Sequence, residues 1–489
     1  MNTSSAHSRL IGIDCGTTAV KGVLCRADGT ELARAQHTIP LLTPNPGWAE
    51  QDPEAVWAAL CDVVRALTAR ADAPITALSI AAQAGSIIPA DAHGRPIYPM
   101  ITFLDTRAAG LVAAWQRDGW SETVRDHTGW SLQIGQPIAS IAWLRAHRPD
   151  VFAAAGLFIE PHDDLVRRLT GRVIGNPSCA AQIPLIDRRN GDYALEIAAA
   201  VGLAAHSLPP LAASGSAIGP AKPDVAEALG LSRDTLIVTG GQDHACEALA
   251  LGLIDPGGLM LSTGTAWVIT GIADCADLSA IPRQMDLNVH VAPQRWTIST
   301  YMGGFGAVLA WWLSGAPGNP HDPYARLEHA LEMHTPDRQN PYFLPESQQR
   351  PASAFAGLRL SHRWDDMACA VVEGIAFETR RMIDALRAAA LPVQTLYMLG
   401  GAARSSRWAR TLADVLDTPI RACDDTYLGA RGAAILAGLG AGVLPSIAQA
   451  WPGFAPHVEE STPDPTRQAA YQARFERYCA LSNYQAAFE

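Results

Sequence analysis

Near the amino terminus the apolar run Leu10-Ile11-Gly12-Ile13 passes into Asp14-Cys15-Gly16-Thr17-Thr18, and Ala19-Val20-Lys21-Gly22-Val23-Leu24 returns as a second apolar stretch. The pattern predicts two strands joined by a glycine turn. A further strand is expected from Glu31 to Thr38. Leu41 to Gln51 holds Pro44, Pro46 and Gly47 and reads as a surface loop. A helix then starts at Asp52-Pro53, with Asp52 as its N-cap and Val56, Trp57, Leu60, Val63, Val64 and Leu67 along one face. Ile75 to Ala82 follows as a buried strand ending at Gln83. Strands and helices in alternation argue for α/β architecture.

From Trp115 to Pro220 the spacing is mostly helical, broken at Gly129, Pro137, Pro149, Gly171 and Gly191, with no metal or nucleophile spacing. Leu236 to Thr239 is the next clear strand and delivers Gly240-Gly241-Gln242-Asp243-His244 to a helix beginning at Ala245. The 489 residues suit two domains of roughly 200 to 250 residues, placed at 1–245 and 246–489. In the second, a hairpin is expected from Leu259 to Thr270, a helix from Met367 to Leu386 and a strand from Thr395 to Leu399, ending in Gly400-Gly401-Ala402. Trp311-Trp312 reads as part of an apolar helix buried in a core or a subunit contact. Ser314 to Pro351 reads as irregular, its histidines solvated.

A net charge of −11 advertises no nucleic-acid or anionic-membrane surface, so a small-molecule partner fits better. The polar opening Met1 to Arg9 lacks the apolar core of a secretory signal. Arg431 and many Gly and Ala residues make the Leu428 to Ala450 stretch a buried helix rather than a membrane span. Nine cysteines, scattered singly, indicate neither a disulfide framework nor a zinc knuckle, and a reducing cytoplasm is the expected home. Cys15 inside the hairpin reads as a small packing residue rather than a nucleophile.

The first hairpin has the chemistry of a phosphate loop. Gly16 lets backbone N–H groups approach an anion, Thr17 and Thr18 add hydroxyl donors, and Asp14 can hold Mg²⁺. Gly258 to Ile269 repeats the strand, glycine turn and strand, with Gly264 and Thr265 echoing Gly16 and Thr17, and Ser262 where the first copy has Asp14. Two such loops suit a duplicated fold around one magnesium nucleotide. Phosphoryl transfer also needs a base near the attacking hydroxyl, and Asp243 after two glycines is the candidate. A lone acid there otherwise reads as a helix cap. Gly400-Gly401-Ala402-Ala403-Arg404-Ser405 after a strand allows close approach to a flat ligand such as adenosine. No P-loop sequence is present, and Gly438, Gly440 and Gly442 lack the strand and acid of a dinucleotide fingerprint.

Together with Trp48-Ala49-Glu50-Gln51-Asp52-Pro53, Ser353 to Leu358, Asp366-Met367 and Ala370-Val371-Val372-Glu373-Gly374, these motifs resemble the FGGY carbohydrate kinases over nearly the whole chain. The resemblance implies two actin-like (ribonuclease H-like) ATPase domains with a cleft between them. It implies ATP and Mg²⁺ as cofactors, Asp243 as base, and Asp14 and Asp243 at the metal. ATP contacts are then expected from Gly16, Thr17, Thr18, Lys21, Ser262, Thr263, Gly264, Thr265, Gly400, Gly401, Ala402 and Ser405. The reaction implied is γ-phosphate transfer from MgATP to a hydroxyl of a ketopentose such as D-xylulose or a related polyol. The alternatives are a kinase for a tetrulose, pentitol, ribulose or glycerol-like polyol, or a non-enzymatic ATP-binding regulator. Self-association as a homodimer stays open.

Within the family the xylulokinases are most similar by eye, and the departures from them surround the sugar. Gln83-Ala84-Gly85-Ser86 stands for Gln-Met-His-Gly, Phe103-Leu104-Asp105-Thr106-Arg107 for Trp-Asn-Asp-x-Arg, Ser140 for a lysine, and Gln348-Gln349-Arg350 near an absent Gly-Glu-Arg-Thr-Pro. Substrate contacts are expected from Gln83, Ala84, Phe103, Asp105, Arg107, Asp243 and His244. Two of these have bland alternatives. Asp105 and Arg107 form either sugar contacts or a salt bridge ordering a helix start, with the sugar role favoured for Asp105. His244 either meets the substrate or points to solvent.

Overall fold

The computed structural model describes residues 8–317, 322–346 and 352–486, so Gln348, Gln349 and Arg350 lie outside the described residues. Among these, one six-stranded sheet runs Glu31–Thr38, Ala19–Arg26, Arg9–Cys15, Ile75–Ala82, Leu236–Gln242, Ala217–Pro220. A seven-stranded sheet runs Asp286–Val289, Trp296–Gly303, Trp267–Ala273, Gly257–Thr263, Val393–Gly400, Ile420–Cys423, Glu459–Ser461. Setting aside the extra edge strand Asp286–Val289, the two sheets repeat one plan. An antiparallel three-strand meander is followed by two parallel neighbours and an antiparallel edge. The duplicated α/β fold suggested by the two hairpins is therefore present at the level of whole sheets.

Local chemistry explains the elements that were expected. Asp52 Oδ1 accepts the Glu54 amide at 2.9 Å and Pro53 occupies the first turn, so the helix Pro53–Thr68 starts where the cap signal put it. Its apolar face packs on the first sheet. The first two strands pair in register, Asp14 opposite Lys21, and the Gly16 amide closes the turn on Ala19 O at 3.0 Å. All nine cysteines are free, and Cys15 is wholly buried, with burial first and then Asp14 pushing its thiol above the ordinary range. No helix among the described residues is long and apolar enough to cross a membrane.

The helix Leu428–Gly440 leaves the second half of the chain and lies on the first sheet, against Leu10, Ala77, Ala81 and Val238, and on the helix Asp243–Ala250. The boundary expected after residue 245 falls inside that second helix, and the change of sheet comes between Ala250 and Gly257.

Three expectations are corrected. Ser314 to Pro351 holds a helix, Pro323–Met333, and a strand, Tyr342–Leu344, built on buried Leu327, Leu331 and Tyr342. Its histidines are not all solvated, because His334 Nε2 lies 2.7 Å from Glu373 Oε1. Trp311 of the helix Phe305–Ser314 is 67% exposed, whereas Trp312 packs against Phe355 and Trp364. The pair thus straddles the surface, so the core alternative fails for Trp311 and the subunit-contact alternative is left standing.

Glu373, in the Ala370 to Gly374 segment, is the polar centre of the second half. Burial alone would raise its carboxyl, but His334 and Arg474 outweigh burial and hold it below the ordinary range. Arg474 pairs with Glu373 and also donates to Pro341 O at 3.0 Å, tying the helix Pro465–Ala486 into the core. Glu373→Ala should lower stability by about 3–5 kcal/mol, since it strands a buried guanidinium. Denaturant unfolding checks this, and a change within experimental scatter would show that the pair contributes little.

Candidate active site

The first hairpin brings Asp14 beside four other titratable groups, Asp243, Glu247, Lys21 and His244. Its Oδ1 is fully shielded and has no hydrogen-bond partner. Burial first, then Asp243 and Glu247, push its carboxyl up to about 8, against the pull of Lys21 and His244. Asp243 opens the helix Asp243–Ala250 at the end of the Leu236–Gln242 strand, as expected. The His244 amide donates to its Oδ1 at 2.8 Å, the carboxyl also draws on its own backbone amide, and among the described residues no other side chain is hydrogen-bonded to it. Burial and Glu247 raise its carboxyl while His244 lowers it. His244 Nδ1 sits 3.1 Å from Glu247 Oε2. Although burial disfavours the imidazolium, Asp243, Glu247 and Asp14 together push it up to about 10. The histidine is neither fully solvated nor alone; it is the counter-charge of an acidic cluster.

The tip of the hairpin is tied more tightly than its sequence suggested. Thr17 donates its hydroxyl to Gln83 Oε1 at 3.0 Å, Gln83 Nε2 donates to Gln51 Oε1 at 2.7 Å, and Gln51 Nε2 donates to Thr17 O at 2.8 Å. This closed ring of three residues joins the phosphate hairpin to the loop after the Ile75–Ala82 strand. Thr18 stays exposed. Lys21 Nζ donates to Thr426 O at 2.9 Å, bridging the hairpin to the second half with one of its three donors.

Around the acceptor loop, Gln83 is buried, Ala84 is half-buried and Gly85 adopts φ +76°, which a side chain would strain. A Cβ there would lie 3.4 Å from Cβ of Phe103, which is 43% exposed, so the two positions share one wall. Asp105 and Arg107 take the salt-bridge alternative. Asp105 Oδ2 accepts Ala49 N and Arg107 Nη2, both at 2.7 Å, and Oδ1 accepts Arg107 N and Nε. Arg107 also donates to Glu50 at 2.7 Å and lies 3.8 Å over the Trp48 ring. With the side chains of both residues about 1% exposed, neither is open to a sugar, which corrects the favoured substrate role of Asp105. The reason is the run Trp48 to Asp52: Trp48 stacks, Ala49 and Glu50 bind the pair, Gln51 holds Thr17 and Asp52 caps a helix.

In the second half, Gly264, Thr265 and Ala266 form an exposed tip between Gly257–Thr263 and Trp267–Ala273, with Ser262 half-buried at its base. Thr263 is spoken for: its hydroxyl donates to Leu399 O and accepts from Ala402 N at 3.2 Å. That link pulls the Gly400-Gly401-Ala402 turn against the hairpin, and Gly400, at φ +88°, keeps it open and exposed beside Gly401. Ser405 caps the helix Ser406–Leu416 by accepting Trp408 N at 2.9 Å. The turn and the hairpin tip expected to share a nucleotide are therefore neighbours.

Several residues of the site escaped the sequence reading. Gln242 N donates to Ser178 Oγ at 2.9 Å, and Asn288 Nδ2 reaches both Gln242 Oε1 and Ser178 O at 3.3 Å, fixing the residue before Asp243. Their only sequence signal is polarity at positions that burial makes costly. Gln51 was visible within the Trp48 to Pro53 motif, but its partner 32 residues away was not.

Comparison with known proteins places this geometry in a family. The N-terminal domain of the FGGY family of carbohydrate kinases matches residues 9–250, and its C-terminal domain matches residues 285–441. The chain is 30% identical over 480 residues to the xylulose kinase of Escherichia coli (strain K12), covering 96% of this chain and 98% of that protein. It is 28% identical over 486 residues to the L-xylulose/3-keto-L-gulonate kinase of the same organism, covering 96% and 95%. A crystal structure of xylulose kinase from Rhodospirillum rubrum superposes with a TM-score of 0.91 at 25% identity, covering 98% of this chain and 99% of the other. Two matching domains and a full-length relative make this chain a member of the FGGY family of carbohydrate kinases.

Proposed function

We propose that this carbohydrate kinase transfers the γ-phosphate of ATP to a hydroxyl of a neutral ketopentose, D-xylulose being the first candidate, with Asp243 as base. The observation that carries the base role is the state of that carboxyl. One oxygen accepts the His244 amide at 2.8 Å, and among the described residues no other side chain is hydrogen-bonded to the carboxyl. In the step, the acceptor hydroxyl gives its proton to the Asp243 carboxylate while its oxygen forms a bond to the γ-phosphorus. The bond from that phosphorus to the β,γ-bridging oxygen breaks and ADP leaves. Little covalent work falls to the protein beyond positioning and proton removal.

Nucleotide binding is assigned to both halves: Gly16 and Thr18 at one tip, Ser262, Gly264 and Thr265 at the other, and Gly400, Gly401 and Ala402 at adenosine. Asp14 is the residue that would hold Mg²⁺. Its shielded, unpartnered oxygen in an acidic surround fits a cation. Among the described residues no three His, Cys, Asp or Glu side chains are grouped to hold a metal by themselves. That suits Mg²⁺, which takes most of its ligands from phosphates and water and, when bound, neutralises phosphate charge.

The acceptor loop favours a neutral substrate over an acid sugar. Gln83, Ala84, Gly85 and Phe103 carry no charge, and the charge of Arg107 is balanced by Asp105 and Glu50, only its Nη1 being left without a partner among the described residues. Xylulose is the substrate in the names of several relatives, which supports a ketopentose.

Coupled ADP release with MgATP across D-xylulose, L-xylulose, ribulose, pentitols, glycerol, gluconate and 3-keto-L-gulonate should show one strong neutral acceptor. A preference for the two acids would refute the neutral reading, and no stimulation by any acceptor would refute the substrate class. Asp243→Ala should lower turnover by about 10²–10⁴-fold with ATP affinity kept, the scale of general-base loss. Near-normal turnover would remove Asp243 as base. Asp14→Asn should raise the Mg²⁺ concentration needed for half-maximal rate. An unchanged Mg²⁺ titration would assign the metal elsewhere.

A further inference from the structure

The strand that delivers Asp243 is irregular where it matters. Leu236–Gln242 pairs with Ile75–Ala82 as Val238 opposite Ser79 but Gly241 opposite Ala81, so an extra residue is accommodated between them. Such a bulge re-aims the chain and frees backbone groups from the ladder. The freed groups of Gly240 are both captured by side chains: its carbonyl accepts Asn176 Nδ2 at 3.2 Å, and its amide donates to His162 Nε2 at 3.3 Å. Because Nε2 accepts, the imidazole proton sits on Nδ1, which faces Asp163 Oδ1 at 3.1 Å. Asp163 Oδ2 accepts the Glu160 amide at 3.0 Å, and Glu160 Oε1 accepts the Gly85 amide at 3.4 Å. Glu160, His162 and Asp163 are 1%, 0% and 3% exposed.

A buried polar thread thus runs Gly85, Glu160, Asp163, His162, Gly240. Its two ends are the acceptor loop and the bulge three residues before the base. A buried imidazole and two buried carboxyls are costly to retain for packing alone.

We propose that the first turn of the helix Pro161–Thr170 is a positioning clamp, in which His162, oriented by Asp163, fixes the bulged strand end before Asp243 while Glu160 fixes the acceptor loop at Gly85. None of the three touches the reacting atoms. Their effect is to hold base and acceptor at one separation, and misplacement of reacting groups by about 1 Å costs on the order of 10²-fold. The proposal rests on the reading of Asp243 as base.

Three variants test it, with Asp243→Ala alongside. His162→Leu removes the acceptor for Gly240 N–H. His162→Gln can offer an amide oxygen near the same place. Asp163→Asn keeps shape but has one acceptor oxygen where Asp163 has two, so it sets N–H against either His162 Nδ1–H or the Glu160 amide and breaks the thread at one of them. His162→Leu and Asp163→Asn should lower kcat by about 10–100-fold with both KM values within about threefold, the mark of an interaction felt only in the transition state. His162→Gln should recover most of the rate. Wild-type kcat in both His162→Leu and Asp163→Asn, with Asp243→Ala inactive, overturns the clamp and leaves the base intact. Near-normal Asp243→Ala instead overturns the base and the clamp with it. If His162→Leu does not fold, the isosteric Asp163→Asn decides. Should no acceptor be found for the wild type, amide exchange across Leu236–Gln242 is the readout. Faster exchange in Asp163→Asn supports the clamp, and unchanged exchange overturns it.

Discussion

Everything at the site depends on how closely the helix Leu428–Gly440 approaches the first sheet and its neighbour helix. A Cβ on Gly12 would lie 1.8 Å from Ala430 O, and one on Gly432 would lie 2.0 Å from Cys246 O. Backbone touches backbone at both points, so the second half of the chain is seated on the strand that carries Asp14 and on the helix that Asp243 opens. The seat places the first turn of the helix Leu428–Gly440 against the Asp14 carboxyl, so closely that a Cβ on Gly429 would lie 2.9 Å from Asp14 Cγ. An acid beside a helix N-terminus is favoured by the helix dipole. Ion pairs of Arg34 and Arg431 with Asp425 and Glu31 lock the same joint, as does Lys21 on Thr426. The first half alone would have Asp14 and Asp243 without the helix that closes on Asp14.

This joint also explains the electrostatics. Asp14, Asp243 and Glu247 come from two strand ends and one helix turn, and each carboxyl is exposed to the field of the others. A single imidazole, His244, answers them. The free protein is therefore short of positive charge at this place. That shortage is a condition for receiving a cation with its phosphates, since a site already neutralised by Lys or Arg would have no use for the metal's charge. The nearby lysine and arginines are engaged elsewhere, Lys21 with a carbonyl and Arg107 with Glu50 and Asp105.

What the sequence revealed and what it hid divide along contact distance. The two hairpins, the Asp52 cap and the strand-to-helix turn at Asp243 are local, set by apolar runs, glycine and a capping acid within a few residues. These were legible. The fates of Thr17, Lys21, Asp105 and Thr263 were not, because each is decided by a partner distant in sequence or by a backbone atom brought near by the sheet. A hydroxyl at a phosphate-like turn looks available until its acceptor is known. His334 shows the same failure in reverse, since nothing near it in sequence announces Glu373.

The Gly85 and Phe103 wall and the strand end bearing Asp243 stand on different elements of the first half. The wall made by Gly85 and Phe103 belongs to the loops after one strand and before one helix of the first half, and it contains no group that the phosphate sites or Asp14 use. The strand end bearing Asp243 is fixed from the opposite side, by Ser178 and Asn288 on Gln242 and by His162 and Asn176 on Gly240. The wall and the strand end are joined by one buried route, from the Gly85 amide through Glu160, Asp163 and His162 to Gly240. That wall is also where the sequence departs from the xylulokinase pattern, with Ala84, Gly85 and Phe103 in place of Met, His and Trp.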